Sequence, residues 1–193
     1  MTKENENKIR AFICLKIPPN LREAIDRQVI SILRKTGVKC SWVKPDNIHL
    51  TLKFLGDIPQ VMVPEISNKI AESVLQIPSL NLSSGKIGTF GGRIPRVVWV
   101  GFEGDIEPLT ELAKSIDSAM KSLGFKPEKR RFSPHITIGR VRNTRNVERL
   151  IETIDRIELE KIDITLNKII LMKSTLSPQG SIYSPLATFD IDT

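Results

Sequence analysis

A chain of 193 residues, 40% hydrophobic and 26% charged, holds enough apolar material for a real core, which excludes a compositionally disordered protein. Its formal charge of +7 suits a polyanionic partner, because phosphates bind Lys and Arg with release of counterions. No stretch approaches the roughly 18 apolar residues of a membrane span, and the charged opening MTKENENKIR lacks the apolar run of a signal peptide.

In chain order, RAFICLKI (10–17) reads as a strand. The segment 18–37 reads as a helix with Leu21, Ile25, Val29 or Ile30, and Leu33 on one face, stopped at Gly37. SWVK (41–44) is a short strand, KPDN (44–47) a turn, and HLTLKFL (49–55) alternates like a half-buried strand. A helix over 64–76 precedes Pro78. LNLSSGKIGTF (80–90) and RVVWVGF (96–102) read as strands joined through GGRIP, which lacks the following helix and Lys-Ser/Thr of a phosphate loop. The segment 105–124 is a helix with Asp105 at the capping position and Ile106, Leu109, Leu112, Ile116 and Leu123 as its stripe. HITIGRV (135–141) is a strand, 146–154 a short helix, and 157–166, 168–176 and 182–191 are strands.

The two halves repeat this order. From Ala11 to His49 is 38 positions, and from Val97 to His135 is 38 again. Each half runs strand, helix, glycine (Gly37 or Gly124), then a strand bearing His-x-Thr-x. The economical reading is one domain over 1–193 with an internal duplication in which the His49 and His135 strands are equivalent. Its class is α+β: two pseudo-symmetric lobes, each an antiparallel sheet packed with helices, around a central cleft.

His49 and His135 are the only histidines. Strand side chains alternate, so His49 shares a face with Thr51 and His135 with Thr137, while Leu50, Leu52, Ile136 and Ile138 turn toward a core. Pro134 suits the start of such a strand. If the lobes face each other, two imidazoles and two hydroxyls converge. Two histidines without matching carboxylates or cysteines make a poor metal set, and Cys14 and Cys40 offer neither metal spacing nor a disulfide framework. General acid–base catalysis fits: with a reference pKa of about 6.5, one ring takes a proton while the other gives one. The threonine hydroxyls donate to a phosphoryl centre as charge builds there. Local sequence does not say which ring is the acid. The competing reading is an RNA or nucleotide phosphate-binding module without turnover.

These residues resemble the 2H phosphoesterases, and within them the RNA 2',3'-cyclic phosphodiesterases, also called 2'-5' RNA ligases. The similarity runs through AFICLKIPPNLREAI, SWVKPDNIHLTLKFLGD, PRVVWVGF, RRFSPHITIGRV and LSPQGSIYSPLATF. It implies hydrolysis of an RNA terminal 2',3'-cyclic phosphate to a 2'-phosphomonoester, with no metal and no cofactor. It further implies His49 as proton donor, His135 as proton acceptor, and Thr51 and Thr137 as phosphate-binding residues. ATP-independent 2'-5' ligation would be the related reverse chemistry; KPDN is not a nucleotidyl-transfer motif. The implied partner is RNA with a cyclic phosphate end, tRNA fragments included. A cytoplasmic monomer with no membrane partner is expected.

Around this centre, residues 126–149 carry eight Lys or Arg against two Glu. Lys129, Arg130 and Arg131 are expected to attract the RNA backbone. Regular alternation turns Arg140 away from the Thr137 face, and only a bulge or the strand's end would return it. Trp42 and Phe54 suit core packing better than stacking on a base. Asp46 either orients His49 or caps a turn, and Tyr183 is unassigned.

Overall fold

The computed structural model describes residues 7–75, 77–178 and 180–191. Strand β1 (Lys8–Lys16) leads into helix α1 over 19–34, followed by β2 (Cys40–Trp42) and β3 (His49–Pro59). Helix α2 (Val63–Val74), β4 (Leu80–Phe90), β5 (Val97–Gly104) and helix α3 (Ile106–Ser122) come next. Strand β6 (His135–Val141), helix α4 (Val147–Ile154), β7 (Asp163–Leu166), β8 (Lys168–Ser177) and β9 (Gly180–Asp190) complete the chain. The α+β class and every helix expected from the periodicity are present. Gln76, the last residue of the expected helix 64–76, lies outside the described residues, as do both ends of the expected 1–193 domain.

Among the described residues all strand pairings are antiparallel, and nine strands form one sheet in the order β7-β4-β5-β6-β3-β1-β8-β9, with β2 beside β6. From its middle outward the order reads β3-β1-β8-β9 one way and β6-β5-β4-β7 the other. The two halves join through a single register pair, Leu50 opposite Ile136. So the two lobes expected from the sequence share one continuous sheet rather than two. Helix α1 and the short β2 lie between β1 and β3, and α3 links β5 to β6; each helix ends before a glycine with positive φ, Gly37 (74°) and Gly124 (87°).

The helices cover one face of the sheet. Ile13 and Leu15 from β1, Leu50 from β3, Val98 and Val100 from β5 and Ile136 from β6 point into a single core with Leu21, Ile66, Ile70, Leu112 and Ile116 of the helices. The ambiguity between Val29 and Ile30 disappears, because both are fully buried. A π-type turn over Ile25–Ile30 inserts an extra residue, so consecutive positions reach the core.

Two expectations fail locally. Residues 157–162 are not a strand: Ser84 and Gln28 satisfy their backbone from the side. Ser84 Oγ accepts from the Ile162 amide (2.9 Å) and donates to the Glu160 carbonyl (2.9 Å), while Gln28 Oε1 accepts from the Glu160 amide (3.0 Å). The apolar alternation there packs Ile157 and Leu159 on the core without a ladder. Asp105 does not cap α3 with its side chain; its carboxylate accepts from the Asn81 amide at 2.8 Å and ties the helix start to β4.

Candidate active site

The antiparallel register around Leu50 and Ile136 sets His49 opposite Thr137 and Thr51 opposite His135, on the face away from the helices. Cross-strand neighbours stand about 5 Å apart at Cβ and diagonal ones about 7–8 Å. The two imidazoles are thus diagonal neighbours, with a hydroxyl beside each.

Each imidazole is aimed in the same way. Nδ1 of His49 donates to the Asn47 carbonyl and Nδ1 of His135 to the Ser133 carbonyl, both at 2.7 Å. This fixes the neutral tautomer and leaves Nε2 to act as base when bare and as acid when protonated. Asp46 plays no part in that aiming. It pairs with Arg22 at 3.0 Å, its own side chain 97% exposed, and the orienting group is the backbone of Asn47.

Aromatic rings brace both imidazoles. Phe12 lies 4.8 Å from the His49 ring and Tyr183 meets it edge-on at 5.3 Å. Phe90 meets His135 edge-on at 5.0 Å and stacks on Trp99 at 5.2 Å. The Trp99 indole lies flat across β4 because residue 88 is glycine; a methyl there would overlap the ring.

The two motif strands carry matched bulges. Opposite β1, Leu52 is the extra residue between the Cys14–Thr51 and Ile13–Lys53 pairs. Opposite β5, Ile138 is the extra residue between the Trp99–Thr137 and Val98–Gly139 pairs. Each is the last residue of a His-x-Thr-x motif, and each reverses the alternation beyond it. Arg140 therefore returns to the face of His135 and Thr137, opposite Ser41 and Val97, contrary to regular alternation. Phe54 swings to the same face in the other half. It is paired with Phe12 and 63% exposed, so the expectation that it packs in the core is corrected. Trp42 does pack on the core, its ring passing over Gly139, where a Cβ would stand 2.8 Å away.

The same reversal turns Lys53 inward. Its ammonium, in a residue only 6% exposed, pairs with Asp117 of α3 and donates to the Lys126 carbonyl at 3.0 Å. Asp117 also accepts from the Glu128 amide at 3.1 Å. The first motif strand is thereby tied to the segment leading into the second. Lys129, Arg130 and Arg131 stand exposed in that segment, outside the block of His and Thr side chains.

Burial lowers the pKa of His49 below its ordinary value; the Asn47 carbonyl opposes this, and the charges of Arg140 and His135 push it lower still. In an NMR titration of the free protein, His49 is expected to lose its proton below about pH 6.5. In Arg140→Gln the midpoint moves up, since a neighbouring positive charge is gone. An unchanged midpoint would place Arg140 out of electrostatic reach. Among the described residues no three His, Cys, Asp or Glu side chains gather in metal-binding geometry, and no helix is long and apolar enough to cross a membrane.

Known proteins share this plan. An RNA 2',3'-cyclic phosphodiesterase of Methanothermobacter thermautotrophicus is 32% identical over 94% of this chain and 98% of its own. One of Methanocaldococcus jannaschii is 35% identical over 91% and 96%. The structure of E. coli LigT complexed with 3'-AMP aligns with a TM-score of 0.74 at 23% identity, over 97% of this chain and 100% of that one. The family model described as LigT like phosphoesterase matches twice, over residues 15–99 and 100–183, and this chain belongs to that family.

Proposed function

We propose that the protein hydrolyses the terminal 2',3'-cyclic phosphate of RNA to a 2'-phosphomonoester, with His49 as proton donor and His135 as proton acceptor. The observation that carries this reading is the register pair Leu50–Ile136, which sets both imidazoles and both threonines on one face. Water attacks phosphorus as Nε2 of His135 takes its proton. The P–O3' bond breaks, and Nε2 of His49 protonates the departing oxygen, leaving a 3'-hydroxyl and a 2'-phosphate. Thr51, Thr137 and Arg140 donate to the non-bridging oxygens, where negative charge grows. The lowered pKa of His49 makes its imidazolium a stronger acid than an ordinary one. The arriving phosphodiester anion offsets the positive neighbours that oppose its protonation. The full-length similarity to proteins named RNA 2',3'-cyclic phosphodiesterase supports the substrate class.

The same centre, with a ribose 5'-hydroxyl in place of water, forms a 2'-5' phosphodiester and needs no ATP. Lys129, Arg130 and Arg131 draw the RNA backbone toward the cleft. The reading extends to a monomeric enzyme of the cytoplasm acting on RNA ends such as tRNA fragments; its two free thiols, Cys14 and Cys40, fit a reducing compartment. The two halves are read as copies of one unit, supported by their mirrored strand orders and the double family match.

The test is product analysis on an oligonucleotide ending in a 2',3'-cyclic phosphate, with EDTA present. Conversion to the 2'-phosphate is expected. A 3'-phosphate product would reverse the assignment of the leaving oxygen. Tight binding without turnover would return the cleft to the role of an RNA holder.

A further inference from the structure

We propose that the groove between the β2–β6 edge and the β8–β9 hairpin is a subsite for the nucleotide on the 5' side of the cyclic end, gripped through its phosphodiester by Arg142 and Lys44. This rests on the phosphodiesterase reading above. A terminal ribose whose O2' and O3' are both bound to the reacting phosphorus continues into the RNA only through its O5'. The strand must therefore leave the reaction centre along one of the depressions that flank His49.

Two such depressions stand out among the described residues. The one lined by Lys16, Arg22 and Asp46 holds about 240 Å³, below the range of about 300–1,000 Å³ typical of small-molecule sites, and its Arg22 is already committed to Asp46. The other holds about 610 Å³, with Lys44, Arg140 and Arg142 and no carboxylate among its lining residues. It also shares a wall with the reaction centre. Arg140 acts electrostatically on His49, and Tyr183 meets the His49 ring edge-on.

The groove's walls match the two parts of a nucleotide. Arg142 is steered by a hydrogen bond from its Nε to Ser41 Oγ at 2.7 Å, on the same edge as Lys44. Across from them Leu176 of the hairpin stands 69% exposed, an apolar shelf beside three cations. The hairpin is anchored to the His49 turn, because Asn47 Nδ2 donates to the Ser181 carbonyl at 2.7 Å. A planar base on Leu176 and an anionic linkage on Arg142 and Lys44 satisfy both walls at once. The matched bulge explains why Arg140 faces this way: without the extra residue Ile138 it would turn to the opposite face.

The experiment compares kcat/KM for a dinucleotide ending in a 2',3'-cyclic phosphate with that for the mononucleoside 2',3'-cyclic phosphate. The dinucleotide is expected to win by about tenfold or more, the scale of one charge-assisted hydrogen bond. That ratio should fall with added salt, with a log–log slope of about −0.7 for a single phosphate contact. Arg142→Gln and Lys44→Gln each shrink the ratio several-fold and flatten the salt slope. A wild-type ratio near one, or a ratio unmoved in both variants, overturns the subsite. Kd values for the matching 2'-phosphorylated dinucleotide and mononucleotide are measured in parallel. If neither cyclic ester turns over, the reaction reading fails, and the same wild-type and variant ratios in Kd still decide for or against the groove.

Discussion

His49→Ala and His135→Ala are each expected to lower the rate of cyclic-phosphate hydrolysis by about 10²–10⁴-fold, the usual contribution of one positioned acid or base. In the proposed reaction the two rings act on the same phosphoryl group in one step, so the double variant should lose little more than the worse single one, as groups that work as a unit are far from additive. The fold should survive. The His135 ring lies partly open to solvent, and the shared core is built from the opposite face of the sheet. Steady-state assays with a cooperative thermal melt of each variant check this. Turnover retained in both single variants would exclude the acid–base pair.

The second large effect is on stability. Asp117→Ala leaves the Lys53 ammonium buried opposite nothing but the Lys126 carbonyl. Removing one partner of a buried ion pair costs about 3–5 kcal/mol. Because the Asp117 side chain is itself 25% exposed, the low end, about 3 kcal/mol, is expected. Against a total stability of about 5–15 kcal/mol this is a large share, readable by denaturant titration. Adding Lys53→Met should restore most of the loss, since an apolar side chain of similar length fills the same space without a charge. A double variant as unstable as Asp117→Ala would show that the tie between the motif strand and segment 126–128, rather than the stranded charge, carries the energy.

Much of this architecture was legible because it is periodic. Both long helices, the strand pair around GGRIP and the two His-x-Thr strands follow from local apolar spacing. Which residues share the histidine face beyond the motifs did not follow, because register is set between strands and not along them. The bulges at Leu52 and Ile138 leave no mark on β3 or β6 alone; they exist only relative to β1 and β5. That is why alternation misplaces Arg140 and Phe54; of the two ways open to Arg140, a bulge or the strand's end, the bulge is the one present. The aromatic braces were hidden for a similar reason. Phe12, Phe90 and Tyr183 reach the imidazoles from strands adjacent in the sheet but distant in the chain. The part played by Asn47 is invisible in the sequence because its backbone carbonyl does the aiming, and a carbonyl carries no sequence signature. Residues 157–162 misled for the opposite reason: a correct apolar pattern, with ladder bonds replaced by Ser84 and Gln28.

The proposed reaction needs two diagonal imidazoles to serve one phosphorus atom. A crystal structure with a nucleoside 2'-monophosphate bound tests this most directly. The predicted result is a single phosphate group whose oxygens lie within about 3.2 Å of both His49 Nε2 and His135 Nε2. A phosphate that engages only one ring, with the other beyond hydrogen-bond reach, would contradict it.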